Sequence, residues 1–342
     1  MPIIEARKLT KRFRIPVKAP GTLGALKHVI RPHYEEKTAV DAIDFAIEAG
    51  ESVAYVGPNG AGKSTTIKML TGILHPSGGE VFVRGLIPFQ QRIANAQNIG
   101  VVFGQRTQLW WDLPVQESFR LLGDIYRVPE KVFTQTFNEC SELLDLGPLL
   151  RKPARQLSLG QRMRCDLAAS LLHAPPILYL DEPTIGLDVA VKERIRQFIK
   201  RINRERGVTL LLTSHDLSDI EDMCSRLMMI DQGRIVFDGP VKTIKEIFGR
   251  ERVIHLILQE ATPTALNVAQ TALPELAPTN IQQPELHHLI VRFETTHLTA
   301  GAIASRLLAL LPINDLRIKE PSIESIIRQL YEGTLQFGEK AS

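Results

Sequence analysis

Short apolar runs alternate with segments of helical periodicity over the first two thirds of the chain. The runs are residues 52–56, 177–180 and 209–213. Each is nearly all apolar, which is typical of strands buried on both faces of a parallel sheet. Residues 64–74, 115–126 and 131–146 have apolar side chains at helical spacing. Since strands that alternate with helices build a parallel sheet covered on both faces, the pattern predicts an α/β fold.

The beginning and the end of the chain contain further predicted elements. Residues 1–13 contain a strand at the start, and residues 38–56 contain two strands around a turn at Ala49–Gly50. The pattern changes after Asp238-Gly239-Pro240. From there it predicts strands at 252–259, 286–294 and 314–319, and helices at 263–272 and 302–311. A last helix from Pro321 has one apolar face, formed by Ile323, Ile326, Ile327 and Leu330. We therefore expect a domain over 1–245 and a small α+β domain over 246–342.

Composition and charge narrow the class of protein. The chain has 342 residues, of which 44% are hydrophobic and 23% charged, as in an ordinary globular protein. No apolar run is long enough to cross a bilayer, and we expect no signal peptide at the start. Cys140, Cys165 and Cys224 are widely spaced, which favours a reducing cytosol. The net charge is +3, and residues 1–37 alone carry nine Lys or Arg against three Asp or Glu. This basic segment is expected either to be exposed to solvent or to contact anionic lipid headgroups, and not to bind nucleic acid.

Residues 57–64 match the phosphate-binding pattern G-x-x-x-x-G-K-S. They are Gly57, Pro58, Asn59, Gly60, Ala61, Gly62, Lys63 and Ser64. The segment follows a predicted buried strand and precedes a predicted helix, as the chemistry requires. Backbone N–H groups then surround phosphates at a helix N-terminus, Lys63 reaches the β- and γ-phosphates, and Ser64 holds Mg²⁺.

Two further segments are candidates for the same chemistry. Asp181 and Glu182 end an apolar strand, so Asp181 is a candidate Mg²⁺ ligand and Glu182 a candidate general base. Residues 157–161, Leu-Ser-Leu-Gly-Gln, begin a helix for which Ser158 is a plausible N-cap. That helix start is also a second phosphate-binding terminus. One nucleotide uses two such distant termini only if the fold or a second subunit brings them together.

With these motifs in this order, residues 3–245 resemble the nucleotide-binding subunit of an ABC transporter. The resemblance implies a P-loop ABC ATPase core with a mixed sheet and a helical subdomain over 105–170. Residues 157–161 resemble the signature Leu-Ser-Gly-Gly-Gln, with Leu159 in place of the first glycine. Gln105 resembles the Q-loop glutamine, Asp188 the D-loop aspartate and His215 the switch histidine.

The resemblance also implies how these residues work. Two copies pack head to tail about a two-fold axis. Each ATP, also contacted by Thr65, lies between Lys63 of one copy and Ser158, Gly160 and Gln161 of the other. Glu182, His215 and Gln105 serve catalysis, and Gln105 joins Ser64 and Asp181 around Mg²⁺. The implied partners are a second copy and separate integral-membrane permease subunits, at the cytoplasmic face of the cell membrane.

Three features beside the core are interpreted through the same resemblance. Either Phe13 or Tyr34 stacks on adenine, with Phe13 slightly favoured. Residues 14–37 resemble an insertion of polysaccharide exporter ATPases, with a short amphipathic helix that contacts lipid headgroups or packs on the ATPase. Trp110 and Trp111 follow Gln105 in the region that meets the permease. The residues after 246 resemble the appended domain of drug and envelope-lipid exporter ATPases. We therefore expect an exporter, with an importer subunit or a soluble ABC ATPase as alternatives.

Overall fold

The computed structural model describes residues 1–16, 34–104, 106–214, 216–243, 251–295 and 298–319. In chain order the strands are β1 (Ile4–Pro16), β2 (Tyr34–Ile47), β3 (Ser52–Val56), β4 (Gly78–Val83), β5 (Ile99–Phe103), β6 (Ile177–Asp181), β7 (Thr209–Thr213), β8 (Arg226–Asp231), β9 (Arg234–Pro240), β10 (Glu251–Leu258), β11 (Ile281–Glu285), β12 (His288–Glu294) and β13 (Ile313–Lys319). The α-helices are α1 (Lys63–Leu70), α2 (Arg92–Asn98), α3 (Val115–Ile125), α4 (Glu130–Leu143), α5 (Leu159–Leu171), α6 (Val189–Arg206), α7 (Leu217–Met223), α8 (Ala265–Ala272) and α9 (Ala300–Leu308).

The chain divides into two compact units, Met1–Gly239 and Pro240–Ser342. The sequence pattern led us to expect a boundary near 245, a few residues later. In the first unit, β5, β6, β7, β3 and β8 lie side by side in that order, and each pairs in parallel with its neighbour. Strand β9 continues this sheet beyond β8. Strands β3 and β7 are buried along their whole length, as expected for a sheet covered on both faces.

A second, antiparallel sheet in this unit has the order β2-β1-β4. The N-terminal segment therefore does not extend the parallel sheet. Helix α1 packs between the two sheets, and its Ile67, Met69 and Leu70 lie in one core with residues of both. Because the helix is held on two sides, its first residue, Lys63, occupies a fixed place at the edge of the parallel sheet.

The ends of the predicted insertion, 14–16 and 34–37, lie in the β1–β2 hairpin, where Arg14 pairs with Glu36. Strand β1 thus continues past Phe13, at which we expected it to end. The amphipathic helix predicted between these ends lies outside the described residues.

The helical part of the first unit lies between β5 and β6 along the chain. It contains α3, α4 and α5, together with short 3-10 turns at Gly147–Leu149 and Ala154–Gln156. Arg164 of α5 is buried and donates to the carbonyls of Leu144 (2.8 Å) and Asp145 (3.2 Å), just after α4. These bonds satisfy carbonyl groups that the end of a helix leaves without an internal partner.

The second unit has the chain order β10-α8-β11-β12-α9-β13. Its sheet is antiparallel, with the strand order β11-β12-β10-β13. Helices α8 and α9 contribute Ala265, Ala269, Ile303 and Leu307 to a core with the sheet. The helix predicted from Pro321 lies outside the described residues. Among the residues that the structure describes, no helix combines the length and apolar character needed to cross a bilayer.

The separate core of the second unit leads to a prediction about its independence. We expect residues 240–342, expressed alone, to unfold cooperatively on heating, because the described residues of this unit form an apolar core of their own. Circular dichroism would monitor the transition. Phe293→Ala, which empties a buried position, should lower the stability of the fragment by about 3–5 kcal/mol. A fragment without a cooperative transition would contradict the prediction.

Candidate functional site

The loops after β3, β5 and β6 meet at the carboxyl edge of the parallel sheet and enclose a cavity of about 670 Å³. Of the predicted site residues, those that line it are Pro58, Asn59, Gly60, Gly62, Lys63, Ser64, Thr65, Asp181 and Glu182. Ligands bind at this edge in open α/β sheets. The phosphate loop and the two acids, far apart in sequence, therefore share one cavity.

Two glycines of the phosphate loop occupy places that no side chain could share. Gly62, immediately before α1, has φ +116°, and a Cβ there would lie 2.5 Å from the carbonyl oxygen of Ala39. A Cβ on Gly57 would lie 2.2 Å from the carbonyl oxygen of Ile230. The loop thus packs tightly against its surroundings, and its backbone keeps the curvature that directs N–H groups toward a phosphate.

Lys63 is only 8% exposed. Its ammonium group donates to the carbonyl oxygens of Gly57 and Pro58, the latter at 3.2 Å. Burial lowers the pKa of Lys63, while the carboxylates of Glu182 and Asp181 oppose this effect. The cation is therefore held inside its own loop, close to two acids, where phosphate oxygens could replace the carbonyls as acceptors.

Asp181 connects three parts of the site. Its Oδ2 accepts from Ser64 Oγ (3.3 Å), and its Oδ1 accepts from Thr213 Oγ1 (2.6 Å). Ser64 is in the first turn of α1, and Thr213 ends β7. A carboxylate beside a hydroxyl, in a cavity lined by a phosphate loop, is an oxygen donor set of the kind that Mg²⁺ prefers. The residues present therefore fit a nucleotide with Mg²⁺.

Glu182 follows β6 in an uncommon backbone conformation, with φ +56°. Its amide donates to the carbonyl oxygen and the Oγ1 of Thr213, each at 3.1 Å. Residues in this region of φ and ψ persist only where the surroundings hold them, and they are frequent in active sites. The end of β7 thus fixes the turn from which the Glu182 side chain leaves.

Ser158 and Gln161 form a complete capping box at the start of α5. The Gln161 amide donates to Ser158 Oγ (3.3 Å), and the Ser158 amide donates to Gln161 Oε1 (3.1 Å). The N-cap role expected for Ser158 is therefore present. These residues are not among those that line the cavity of Lys63, so within one chain the second helix terminus does not serve the first site.

The segment before α6 packs against this helix start. Asp188 caps α6, because its Oδ1 accepts from the amide of Val191 at 2.9 Å. A Cβ on Gly160 would lie 3.3 Å from the Val191 side chain, and one on Gly186 would lie 3.2 Å from Leu159. The segment around Ser158, which we expect to meet the partner's nucleotide, and the segment around Asp188 are thus neighbours.

Both tryptophans are partly exposed, Trp110 by 37% and Trp111 by 52%. The Trp111 ring centroid lies 6.0 Å from the guanidinium of Arg162 on α5. The backbone carbonyl of Trp111 accepts from the Arg155 amide (3.0 Å). Exposed tryptophans are common anchors at protein interfaces.

Asp166 of α5 holds the segment that leads to the tryptophans. Its Oδ1 accepts from Thr107 Oγ1 (2.8 Å) and from the Gln108 amide (3.0 Å). Gln108 Nε2 also donates to the Asp166 carbonyl (2.9 Å). Burial raises the pKa of Asp166 to about 6, although these hydrogen bonds lower it. One carboxylate therefore fastens residues 107–108 to the helix that Ser158 begins.

Phe13 and Tyr34 lie in the same hairpin, where Phe13 pairs with Lys37 and Tyr34 with Pro16. The pairs are three positions apart, so the two rings project from opposite faces. The Phe13 ring centroid lies 5.3 Å from the Lys11 ammonium group. Neither ring is among the described residues that line the cavity.

Comparisons with known proteins agree with this geometry. Residues 40–185 match the family described as ABC transporter. The chain is 30% identical over 314 residues to the linearmycin resistance ATP-binding protein LnrL of Bacillus subtilis (strain 168), covering 90% of this chain and 98% of LnrL. The chain belongs to the ABC transporter family. Within that family it is the ATP-binding subunit, and the ABC ATPase domain implies ATP hydrolysis.

Two further likenesses concern the ABC ATPase core. The chain is 36% identical over 218 residues to the Nod factor export ATP-binding protein I of Neorhizobium galegae, covering 63% of this chain and 62% of that protein. A solved dimer of the ATP-binding cassette MJ0796, in a post-hydrolysis state with ADP and Pi, is 26% identical with a TM-score of 0.57. That match covers 70% of this chain and 98% of the cassette. The predicted P-loop ABC ATPase fold is confirmed.

Of the other residues predicted for the ABC site, Gln105 and His215 lie outside the described residues. Ala61 of the phosphate loop is buried in the core and does not line the cavity. The cavity also contains residues that the sequence analysis did not name: Lys68, Ile73, Phe103, Gly104, Arg106 and Ile185. Of these, Phe103 ends strand β5 of the same sheet, Gly104 follows it, and Arg106 comes after Gln105 in the chain. The shared carboxyl edge was the signal that could have indicated them.

The raised pKa of Asp166 predicts a pH-dependent effect on the ABC ATPase. At pH values between 3.8, its ordinary pKa, and about 6, its pKa in the folded protein, the carboxyl group takes up a proton when the chain folds. Its contribution to the free energy of unfolding therefore falls as the pH rises through that window. Asp166→Asn keeps the Oδ1 acceptor without the charge. We expect its stability relative to wild type to be more favourable at pH 8 than at pH 5, by about 1 kcal/mol.

Thermal melts of both proteins at the two pH values would measure this difference. Effects of pH on the rest of the molecule cancel in the comparison of variant and wild type. An equal difference at pH 5 and pH 8 would show that Asp166 does not titrate in this range.

Proposed function

We propose that the chain is the ATPase subunit of an ABC exporter that works as a homodimer with separate permease chains. The dimer is supported by one observation: only one of the two phosphate-binding helix starts of the chain lies at the cavity. Lys63 and its loop line the cavity, whereas Ser158, Gly160 and Gln161 do not. A second copy, related by a two-fold axis, brings its Ser158 terminus to the cavity of the first. The dimeric cassette MJ0796 supports this arrangement.

Within each site, the residues divide the work of in-line attack on the γ-phosphate. The loop 57–65 binds the phosphates, with Lys63 turned from its carbonyls to the β- and γ-oxygens. Ser64, Asp181 and Gln105 hold Mg²⁺, which when bound spreads the charge of the phosphates. Glu182 accepts a proton from the attacking water, and His215 orients the γ-phosphate.

The remaining residues complete the site across the dimer. Asp188 lies beside the Ser158 terminus, so it meets the partner's nucleotide region together with it. Phe13 stacks on adenine in preference to Tyr34, because Phe13 follows Leu9-Thr10-Lys11-Arg12 in the context typical of the family. Closure of the dimer on ATP and release after hydrolysis are a population shift that can drive a partner protein.

The names of two relatives support export. One of them matches most of the chain, and the other matches most of its ATPase core. LnrL is named for linearmycin resistance and the Nod factor protein for export. Trp110 and Trp111 contact the permease in this proposal, and the subunit lies at the cytoplasmic face of the membrane. Residues 14–37, with their basic excess, contact anionic lipid headgroups there.

The first test concerns Glu182. We expect Glu182→Gln to keep ATP binding and nearly abolish turnover, because the amide keeps the shape of the side chain but cannot accept the proton. The variant should accumulate as an ATP-bound dimer. Phosphate release, fluorescent-nucleotide titration and light scattering would measure the three properties. Undiminished hydrolysis would remove Glu182 from the role of base.

The second test concerns the permease. Affinity purification of the tagged protein from detergent-solubilised membranes should recover a stoichiometric multi-span protein, identified by mass spectrometry. Trp110→Ala with Trp111→Ala should reduce that recovery by tenfold or more, since interface anchors are worth about 2 kcal/mol or more each. Leu310→Ala, which removes an exposed apolar side chain of the second unit, is the matched control.

The fold of the recovered permease would separate an exporter from an importer. Recovery only from the soluble fraction, without a membrane partner, would instead favour a soluble ABC ATPase and contradict the role of the tryptophans.

A further inference from the structure

Beneath the loops that carry Glu182 and His215 lies a carboxylate with no exposed surface. Asp219 of α7 is 0% exposed. It accepts hydrogen bonds from three side chains: Thr184 Oγ1, Ser214 Oγ (3.3 Å) and Arg196 Nε (2.5 Å). A carboxylate with one cation and two hydroxyl donors is well satisfied despite its burial.

The three donors belong to three different segments of the ATPase. Thr184 lies two residues after Glu182, in the loop that follows β6. Ser214 directly precedes His215, in the loop that follows β7. Arg196 lies on α6, the helix that Asp188 caps. Asp219 is therefore the one acceptor that these three segments share among the described contacts.

Helices α6 and α7 are joined by further ion pairs on either side of Asp219. Lys192 Nζ lies 2.8 Å from Asp216 Oδ2, and Lys200 Nζ lies 2.5 Å from Asp222 Oδ1. The cations follow each other at four-residue intervals on α6, so they share one face of the helix. The outer pairs are partly exposed, and only the central acid is fully buried.

An ion pair with a fully buried acid contributes little net stability, because the cost of removing that charge from water offsets its attraction to the cation. What such a pair does provide is a fixed geometry, since each donor must reach one point. Asp219 fixes the backbone near Thr184 and near Ser214. These two segments carry the proposed catalytic residues, Glu182 and His215.

We propose that Asp219 is a positioning residue for hydrolysis. It aligns the Glu182 loop through Thr184 and the His215 loop through Ser214, and it fastens both to α6 through Arg196. This inference rests on the catalytic roles proposed for Glu182 and His215.

The test removes one hydroxyl at a time and leaves the ion pair with Arg196 intact. We expect Thr184→Val and Ser214→Ala each to lower kcat roughly tenfold to a hundredfold, because small misplacements of catalytic groups have effects of this size. The KM and the affinity for a fluorescent ATP analogue should stay within a factor of about 3. Thr184→Ser, which keeps the hydroxyl, should retain most of the wild-type kcat.

A second readout does not depend on turnover. Hydrogen–deuterium exchange of peptides that cover 182–188 and 209–216 should increase in Thr184→Val and Ser214→Ala. Lys200→Ala is the matched control, because it removes an outer, exposed ion pair of the same helices. It should leave kcat and the exchange of both peptides unchanged.

The proposal is overturned if Thr184→Val and Ser214→Ala keep the wild-type kcat, or if their ATP affinity falls in proportion to kcat. It is also overturned if Lys200→Ala lowers kcat as much as they do. These outcomes are separate from a failure of the proposed function, in which Glu182→Gln would itself hydrolyse ATP at the wild-type rate.

Discussion

The site depends on the contact of the Asp181 carboxylate with hydroxyl groups from two other elements. Ser64 reaches it from α1 and Thr213 from β7. Parallel pairing makes this meeting possible, because Asp181 and Thr213 are direct partners at the ends of neighbouring strands. Helix α1 is held between two sheets, so Ser64 cannot move away without disturbing the core. The carboxylate that we propose as a Mg²⁺ ligand is thereby fixed to Ser64 of the phosphate loop, although 117 positions separate them in sequence.

In the single chain, three side chains of the proposed dimer surface already have hydrogen-bond partners. Ser158 is engaged in its capping box, and Asp188 caps α6. Lys63 donates to carbonyls of its own loop. The Lys63 ammonium group and the Ser158 hydroxyl can each donate to a nucleotide instead, so these two side chains change partners rather than becoming ordered from solvent, while Asp188 keeps its cap. The cost of closure is then small, which suits a switch driven by a bound ligand.

Much of this could be predicted from the sequence, because the relevant signals are local. The phosphate loop needs glycine at particular backbone positions, and the strands β3, β6 and β7 are continuous apolar runs. Strand β4 and helix α2 were not predicted, since their polar, partly exposed residues have no clear period. Nor was the separation of β1 and β2 into another sheet, which is decided by long-range pairing. Asp166 and Asp219 were missed for a similar reason: burial and distant hydroxyl donors determine their roles, and neither leaves a pattern along the chain.

The loops around Glu182 contain a strained backbone residue and a buried carboxylate, and neither feature is explained by the stability of the core alone. Glu182 has a positive φ, and Asp219 places a carboxylate where an apolar side chain would be less costly. Both features lie on the same short path from β6 and β7 to α6. A strained turn persists only if its flanks are fixed, and the hydrogen bonds of Thr213 and Thr184 fix the residues on either side of that turn. The hydrogen bond from Thr184 to the buried Asp219 thus opposes relaxation of the strained turn. The side chain of Glu182 is thereby held in one geometry.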